Sequence, residues 1–240
     1  MRRIAFVVPG RLDTLTGGSV YDRRIVDGLR GSGQEIEVLE LAGAFPWPDA
    51  AARAEAQARL EGLPDGCLVV ADGLVFGALA ELARQQSQRL RWLALVHHPL
   101  ALETGLDARQ RAALHDSERA ALAHAHAVIV PSPATARAVA GLGVAPARVH
   151  VVEPGTDPAP LARGSGTGGR LLCVATLTPR KGHGVLVGAL AALQDRPWTL
   201  DCVGSTAREP ATVAAVRSAI AGHGLRQRVQ LHGELAGAAL

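Results

Sequence analysis

Short, mostly apolar runs of strand length alternate with longer stretches of helical period along almost the whole chain, and this leaves few folds open. The strand-like runs fall at 4–8, 36–39, 68–71, 92–96, 127–130 and 149–152. Helical stretches lie between them, near 20–31, 50–60, 76–86, 108–123 and 134–141. Strands this short and this uniformly apolar fit a parallel sheet covered on both faces. Strict β/α alternation then predicts an α/β fold with a doubly wound sheet. Local signals agree. Asp107 with Gln110 reads as a variant capping box. Ser132 before Pro133 reads as an N-cap with Pro at the first helical position, and Gly31 and Gly33 close the first helix.

The composition changes between Glu153 and Gly169. A Pro-rich segment, Glu153-Pro154-Gly155-Thr156-Asp157-Pro158, runs into the Gly-rich stretch Gly164-Ser165-Gly166-Thr167-Gly168-Gly169. This is the best linker in the chain. It predicts an N-terminal domain over 1–153, a linker over 154–169 and a second, partial domain over 170–240. In that second domain the alternation restarts, with strands at 171–175, 199–203 and 229–231 and helices at 185–193 and 211–221. A β-α-β-α-β stretch is half of a doubly wound domain. The expectation is a small or truncated second domain with apolar surface at the open edge of its sheet.

Charge and hydropathy exclude several classes. The net charge is only +3 and the basic residues are dispersed, without aromatics among them, which argues against nucleic acid as a partner. A mildly basic chain still suits an anionic ligand. No stretch approaches the roughly 20 apolar residues of a membrane span. The apolar run after Arg2-Arg3 is too short for a signal sequence and stops at Pro9-Gly10, so it reads as a first strand. Cys67, Cys173 and Cys202 each lie in a strand-like run, as buried reduced thiols of a cytoplasmic protein do. Their spacing is not that of a metal site.

Four places invite chemistry. Gly17-Gly18-Ser19 opens the first helix, where free backbone N–H groups suit an anion; an ordinary turn would look the same. The dinucleotide pattern G-x-G-x-x-G is absent. His97-His98 follows the fourth strand, at the carboxyl edge where open α/β sheets bind ligands. Neighbouring strand residues point to opposite faces, so one of the two faces the site. Thr176-Leu177-Thr178-Pro179-Arg180-Lys181-Gly182 joins the first strand and helix of the second domain and gathers a hydroxyl and two cations. Gly204-Ser205, after the next strand, offers backbone approach and a hydroxyl.

Taken in order, these blocks resemble glycosyltransferase family four, of the retaining GT-B superfamily. The specific part is the strand followed by Thr178-Pro179-Arg180-Lys181-Gly182-His183, with Cys202-Val203-Gly204 and Arg228-Val229-Gln230-Leu231-His232-Gly233 at the proper distances. The resemblance implies two Rossmann-like domains, acceptor on the N-terminal one and nucleotide-sugar on the C-terminal one, with the reaction in the cleft between them. Gly17 and Gly18 match the glycine loop that approaches the donor phosphates. His97 matches the histidine near the transferred sugar, with His98 its neighbour, and Lys181 matches the lysine that neutralises the diphosphate. Two departures stand out. Ala175 and Thr176 occupy the positions where the family has Gly-Arg, so Arg180 is the expected substitute. The family's Glu-x7-Glu segment would lie beyond residue 240, so the chain is expected to be truncated within the donor domain.

The resemblance implies hexosyl transfer from a nucleoside diphosphate sugar with retention of configuration and without a metal cofactor. His97 is the expected catalytic residue. Gly17, Gly18, Arg180 and Lys181 are expected at the donor phosphates, with His98, Thr176, Gly204 and Ser205 as weaker contacts. The acceptor, whether glycan, lipid or small molecule, and the oligomeric state are not written in the sequence. Peripheral membrane association stays open, since many such enzymes use lipid-linked acceptors. A non-catalytic nucleotide- or partner-binding module and a sugar-nucleotide epimerase of the same fold are the competing readings.

Overall fold

Six parallel strands lie side by side in the first half of the chain, in the order β2-β1-β3-β4-β5-β6. They are β1 (Ile4–Pro9), β2 (Ile36–Leu41), β3 (Leu68–Asp72), β4 (Arg91–Leu95), β5 (Ala127–Val130) and β6 (Val149–Val151). The helices between them are α1 (Gly17–Gly31), α2 (Ala50–Glu61), α3 (Gly73–Ala78), α4 (Ala80–Gln86), α5 (Ala108–Leu122) and α6 (Pro133–Gly141). The structure is a computed structural model and describes residues 3–161, 164, 166 and 169–235. Part of the linker expected from the sequence, namely residues 162, 163, 165, 167 and 168, lies outside the described residues.

Why apolar residues occur on both faces of a strand is visible in β1. Ile4, Phe6 and Val8 pack with Val26, Ile25 and Leu29 of α1 on one face of the sheet. Ala5 and Val7 join the larger core on the other face, with Ala56, Leu60, Phe76, Leu122 and Val139 from the remaining helices. Both faces are buried, so both sets of alternating side chains must be hydrophobic. The caps behave as the sequence suggests. Asp107 accepts from the Gln110 backbone N–H while the Gln110 side chain accepts from Asp107 N–H, a complete capping box. Ser132 caps α6 with Pro133 at its first turn.

One helix expected at 76–86 is two. Asp72 accepts from Leu74 N–H at 2.7 Å and starts α3 three residues earlier. Leu79, at φ −118° and ψ 42°, then ends α3 and precedes α4. Gly73 lets α3 start against the end of β4, because a Cβ there would stand 3.1 Å from Val96 Cα.

The chain divides into two compact units, Met1–Thr156 and Asp157–Leu240. The second carries the parallel sheet β7-β8-β9, formed by β7 (Arg170–Val174), β8 (Thr199–Val203) and β9 (Val229–Gly233), with helices α7 (His183–Ala191) and α8 (Pro210–Gly222). Leu200, Cys202 and Val229 pack with Val187, Leu190, Val213, Val216 and Ile220. The other face of edge strand β7 stays open, with Leu172 60% and Val174 57% exposed. Cys173 and Cys202 are register partners on β7 and β8, and all three cysteines are free thiols. No helix among the described residues is long and apolar enough to cross a membrane.

Candidate active site

The strand order of the first sheet reverses between β1 and β3, so the crevice beyond their carboxyl ends is where a doubly wound sheet binds its ligand. Three titratable side chains meet there. His97 follows β4, Asp72 ends β3, and Asp22 projects from α1, which follows β1. His97 Nε2 lies 2.8 Å from Asp22 Oδ1 and 3.5 Å from Asp72 Oδ2. The three donor atoms all lie within 4.8 Å of one another. Asp22 and Asp72 are buried at 1% and 5% exposure, whereas the His97 side chain keeps 21%.

Other neighbours fix the imidazole in place. The Tyr21 ring meets it edge-on, with centroids 5.1 Å apart and planes at 77°, and Tyr21 Oη donates to Val152 O at 3.0 Å. Gly18 lies under the ring; a Cβ at that position would be 3.3 Å from His97 Cδ2. The expected glycine therefore has a reason of its own, close passage of α1 beneath His97. Gly17, one residue earlier, faces open space. Thr16 caps the helix through Ser19 N–H at 3.1 Å.

The charges settle as a coupled set. Burial pushes the Asp72 carboxyl up, the Asp22 charge pushes it further, and His97 only partly offsets them, leaving it at about 7. For His97, burial disfavours the cation, but the Asp22 hydrogen bond and the charges of Asp22 and Asp72 outweigh it, so its pKa is raised. His98 is half-buried, and its Nε2 is buried without a hydrogen-bond partner among the described residues. Of the two histidines, His97 is the one engaged in the polar cluster.

A further buried acid supports the segment after His98. Glu118 of α5 accepts from Leu100 N–H at 2.9 Å through Oε2, and its Oε1 has no partner among the described residues. Burial raises its pKa to about 7 against the opposing effect of the Leu100 hydrogen bond. Gly77 makes room for it, since a Cβ there would touch Leu100 Cδ1 and the Glu118 side chain. Asp22, Asp72 and Glu118 were not singled out from the sequence.

The second unit gathers its expected residues beyond the carboxyl ends of β7 and β8. Pro179–Lys181 form one 3-10 turn, closed by Gly182 at φ 69°, which also begins α7. Arg180 and Lys181 are exposed there, while Leu177 is buried and anchors the turn. Leu177 N–H donates to Ser205 O at 3.1 Å and Ala175 N–H to Val203 O at 2.8 Å, so the two loops are stitched together. Gly204, at φ 151°, packs under that backbone; a Cβ would collide with the Ala175 carbonyl. The close approach that Gly204 permits is thus made by the chain itself. Ser205 is buried, and its Oγ accepts a long 3.4 Å contact from Ala207 N–H. Thr176 is half-buried beside them. His183 is buried at the start of α7, with Nε2 3.7 Å from Cys173 Sγ; burial and then the nearby Lys181 charge lower its pKa.

Comparison with known proteins gives the family and the fold. The family model described as glycosyl transferase 4-like domain matches residues 22–155, more than half of the chain. The chain belongs to that family and is a glycosyltransferase of the GT-B architecture. Among solved structures it is similar to the sucrose-phosphate synthase of Thermosynechococcus elongatus, with a TM-score of 0.75 at 17% identity over 98% of this chain and 71% of that one. Anabaena HepE in complex with UDP and glucose gives 0.66 at 18% identity, over 98% and 70%. The apo form of the lipopolysaccharide outer core galactosyltransferase WaaB gives 0.61 at 14%, over 98% and 68%. At these identities the structural likeness speaks for the fold. No curated protein matches the sequence.

Proposed function

We propose that this glycosyltransferase moves a hexose from a nucleoside diphosphate sugar to an acceptor hydroxyl with retention of anomeric configuration. The observation that carries the donor assignment is the turn after β7. It presents Lys181 and Arg180 to solvent at the start of α7, stitched to the next loop by the Leu177–Ser205 hydrogen bond. As the glycosidic bond breaks, negative charge grows on the leaving diphosphate. Fixed cations and helix-terminal N–H groups stabilise it without reorganising. Lys181 and Arg180 supply that charge in place of a metal ion. The amides of Gly17 and Gly18 are the proposed phosphate contacts of the first unit, and Thr176, Gly204, Ser205 and His98 are secondary contacts.

His97 orients the acceptor or polarises the sugar, so residues 1–153 form the acceptor side and residues 170–240 the donor side. The complexes of HepE with UDP and with UDP-glucose make uridine diphosphosugars the first donors to test. Three free thiols suit a cytoplasmic enzyme.

Calorimetric titration of nucleoside diphosphosugars against the wild type and Lys181→Ala tests the reading. Loss of donor affinity by roughly 10²-fold is expected, near the upper end of the about 1.5–3 kcal/mol that a hydrogen bond to a charged group contributes. Undiminished affinity in the variant would remove Lys181 from the site.

A further inference from the structure

The cluster at the reversal of the first sheet is built for more than holding a ring. An imidazole presents two nitrogens, and a hydrogen bond at one decides what the other can do. Here Nε2 is held between two carboxyl groups, at 2.8 Å from Asp22 and 3.5 Å from Asp72. Two buried carboxylates around one nitrogen cannot both ionise without strong mutual repulsion. Asp22 makes the shorter contact with the ring nitrogen. Asp72 has Oδ1 occupied by Leu74 N–H, which leaves Oδ2 toward His97.

Among the described residues, Asp22 and Asp72 are the charged groups that bear on His97. From α1 come Gly18, Tyr21 and Asp22, and from the end of β3 comes Asp72. The Cδ2–Nε2 edge is turned to Gly18 and Asp22. Among the described residues no hydrogen bond to Nδ1 is found, and the His97 side chain keeps 21% exposure, so Nδ1 is the nitrogen with capacity for a ligand.

We propose that Asp22 is a positioning residue whose carboxylate fixes His97 as the Nε2–H tautomer, that Asp72 is kept beside it as the proton-holding partner, and that His97 Nδ1 thereby accepts a hydrogen bond from the acceptor hydroxyl. The proposal rests on the assignment of His97 to the acceptor side. It assigns two roles that neither the family match nor the sequence motifs supply. It also explains why α1 brings an acid into a buried stripe next to a glycine. One proton resides on the carboxyl pair while the imidazole keeps its Nε2–H. The acceptor is oriented through the Nδ1 lone pair once His97 is neutral.

The test uses ¹⁵N-labelled full chain, with the His97 signals assigned by their loss in His97→Gln. In the wild type the neutral His97 ring should show the Nε2–H pattern, with Nδ1 unprotonated. Asp22→Asn should lower the His97 pKa and mix the tautomers. Asp72→Asn keeps a side chain able to cap α3 and should remove one titration step from the His97 signals between pH 6 and 8. The wild-type spectrum alone decides the tautomer if a variant does not fold. With a donor and acceptor in hand, Asp22→Asn should lower kcat by roughly 10²-fold, with donor KM moved less than twofold. An Nδ1–H tautomer in the wild type would overturn the proposal, as would an unchanged His97 titration in folded Asp22→Asn. A rate that requires a divalent cation, with the requirement lost in both variants, would overturn it too. Absence of any sugar transfer by wild type would count against the function proposed above, while the spectra still test the tautomer.

Discussion

Replacing Glu118 by Gln should abolish a pH-dependent weakness of the first unit. The carboxyl is 1% exposed and accepts one hydrogen bond, from Leu100. Burial raises its pKa from 4.5 to about 7 in the folded protein. A folded pKa above the unfolded one means that the native state binds the proton more tightly. The contribution is therefore complete below pH 4.5 and is lost as pH rises through 7. The 2.5-unit difference between 4.5 and 7 corresponds to about 3 kcal/mol, at about 1.4 kcal/mol per unit. Gln keeps the acceptor for Leu100 and cannot ionise. Glu118→Gln should match the wild type near pH 4.5 and exceed it by about 3 kcal/mol above pH 8. In a domain of this size that is a shift of roughly 10 °C in melting temperature. Scanning calorimetry of both proteins at pH 4.5, 6, 7 and 8.5 reads the difference directly. Asp72 titrates in the same range but is common to both proteins and cancels. A wild-type to variant difference that stays constant across this range would refute the reasoning, whatever its size.

Two glycines make further predictions. Gly18→Ala places a methyl 3.3 Å from His97 Cδ2, so the ring must shift by a few tenths of an ångström and loosen its bond to Asp22. A rate loss of several-fold, below the roughly 10²-fold that a full 1 Å misplacement brings, is expected in steady-state transfer assays, with a lowered His97 pKa by NMR. Gly204→Ala puts a side chain at φ 151° and into the Ala175 carbonyl. It should cost the second unit about 3 kcal/mol or more, seen as a lower second transition in calorimetry; a loss under about 1 kcal/mol would contradict the packing described.

Much of the fold could be read from the sequence, because a doubly covered parallel sheet forces apolar residues onto both faces of every central strand. That is why 127–130 could be delimited to the residue. The capping box at Asp107 and the Ser132-Pro133 start are local chemistry and were legible for the same reason. The division of α3 from α4 was not. Leu79 is as apolar as its neighbours, and only its dihedral angles break the helix. His97 was visible as a polar residue just past an apolar strand. Its partner Asp22 was hidden, since an acid in a helix ordinarily faces water, and Asp72 lay just past the apolar run that marked β3. The signal was present in the spacing: Gly18, Asp22 and Val26 recur every four residues along one stripe of α1, as Leu114, Glu118 and Leu122 do along α5. An acid interrupting such a stripe must be buried, and a buried acid needs a partner or a proton.

The stitching of the Lys181 turn to the Gly204 loop bears on how tightly a donor can be held. Much of the affinity for a flexible diphosphate is ordinarily lost in ordering the loop that receives it. Here Leu177 is sunk in the core, its N–H is tied to Ser205, and Gly204 lies beneath the Ala175 backbone. On the donor reading proposed above, the backbone of the turn is set before any nucleotide arrives, so less of the attraction between cation and phosphate would be spent on ordering it.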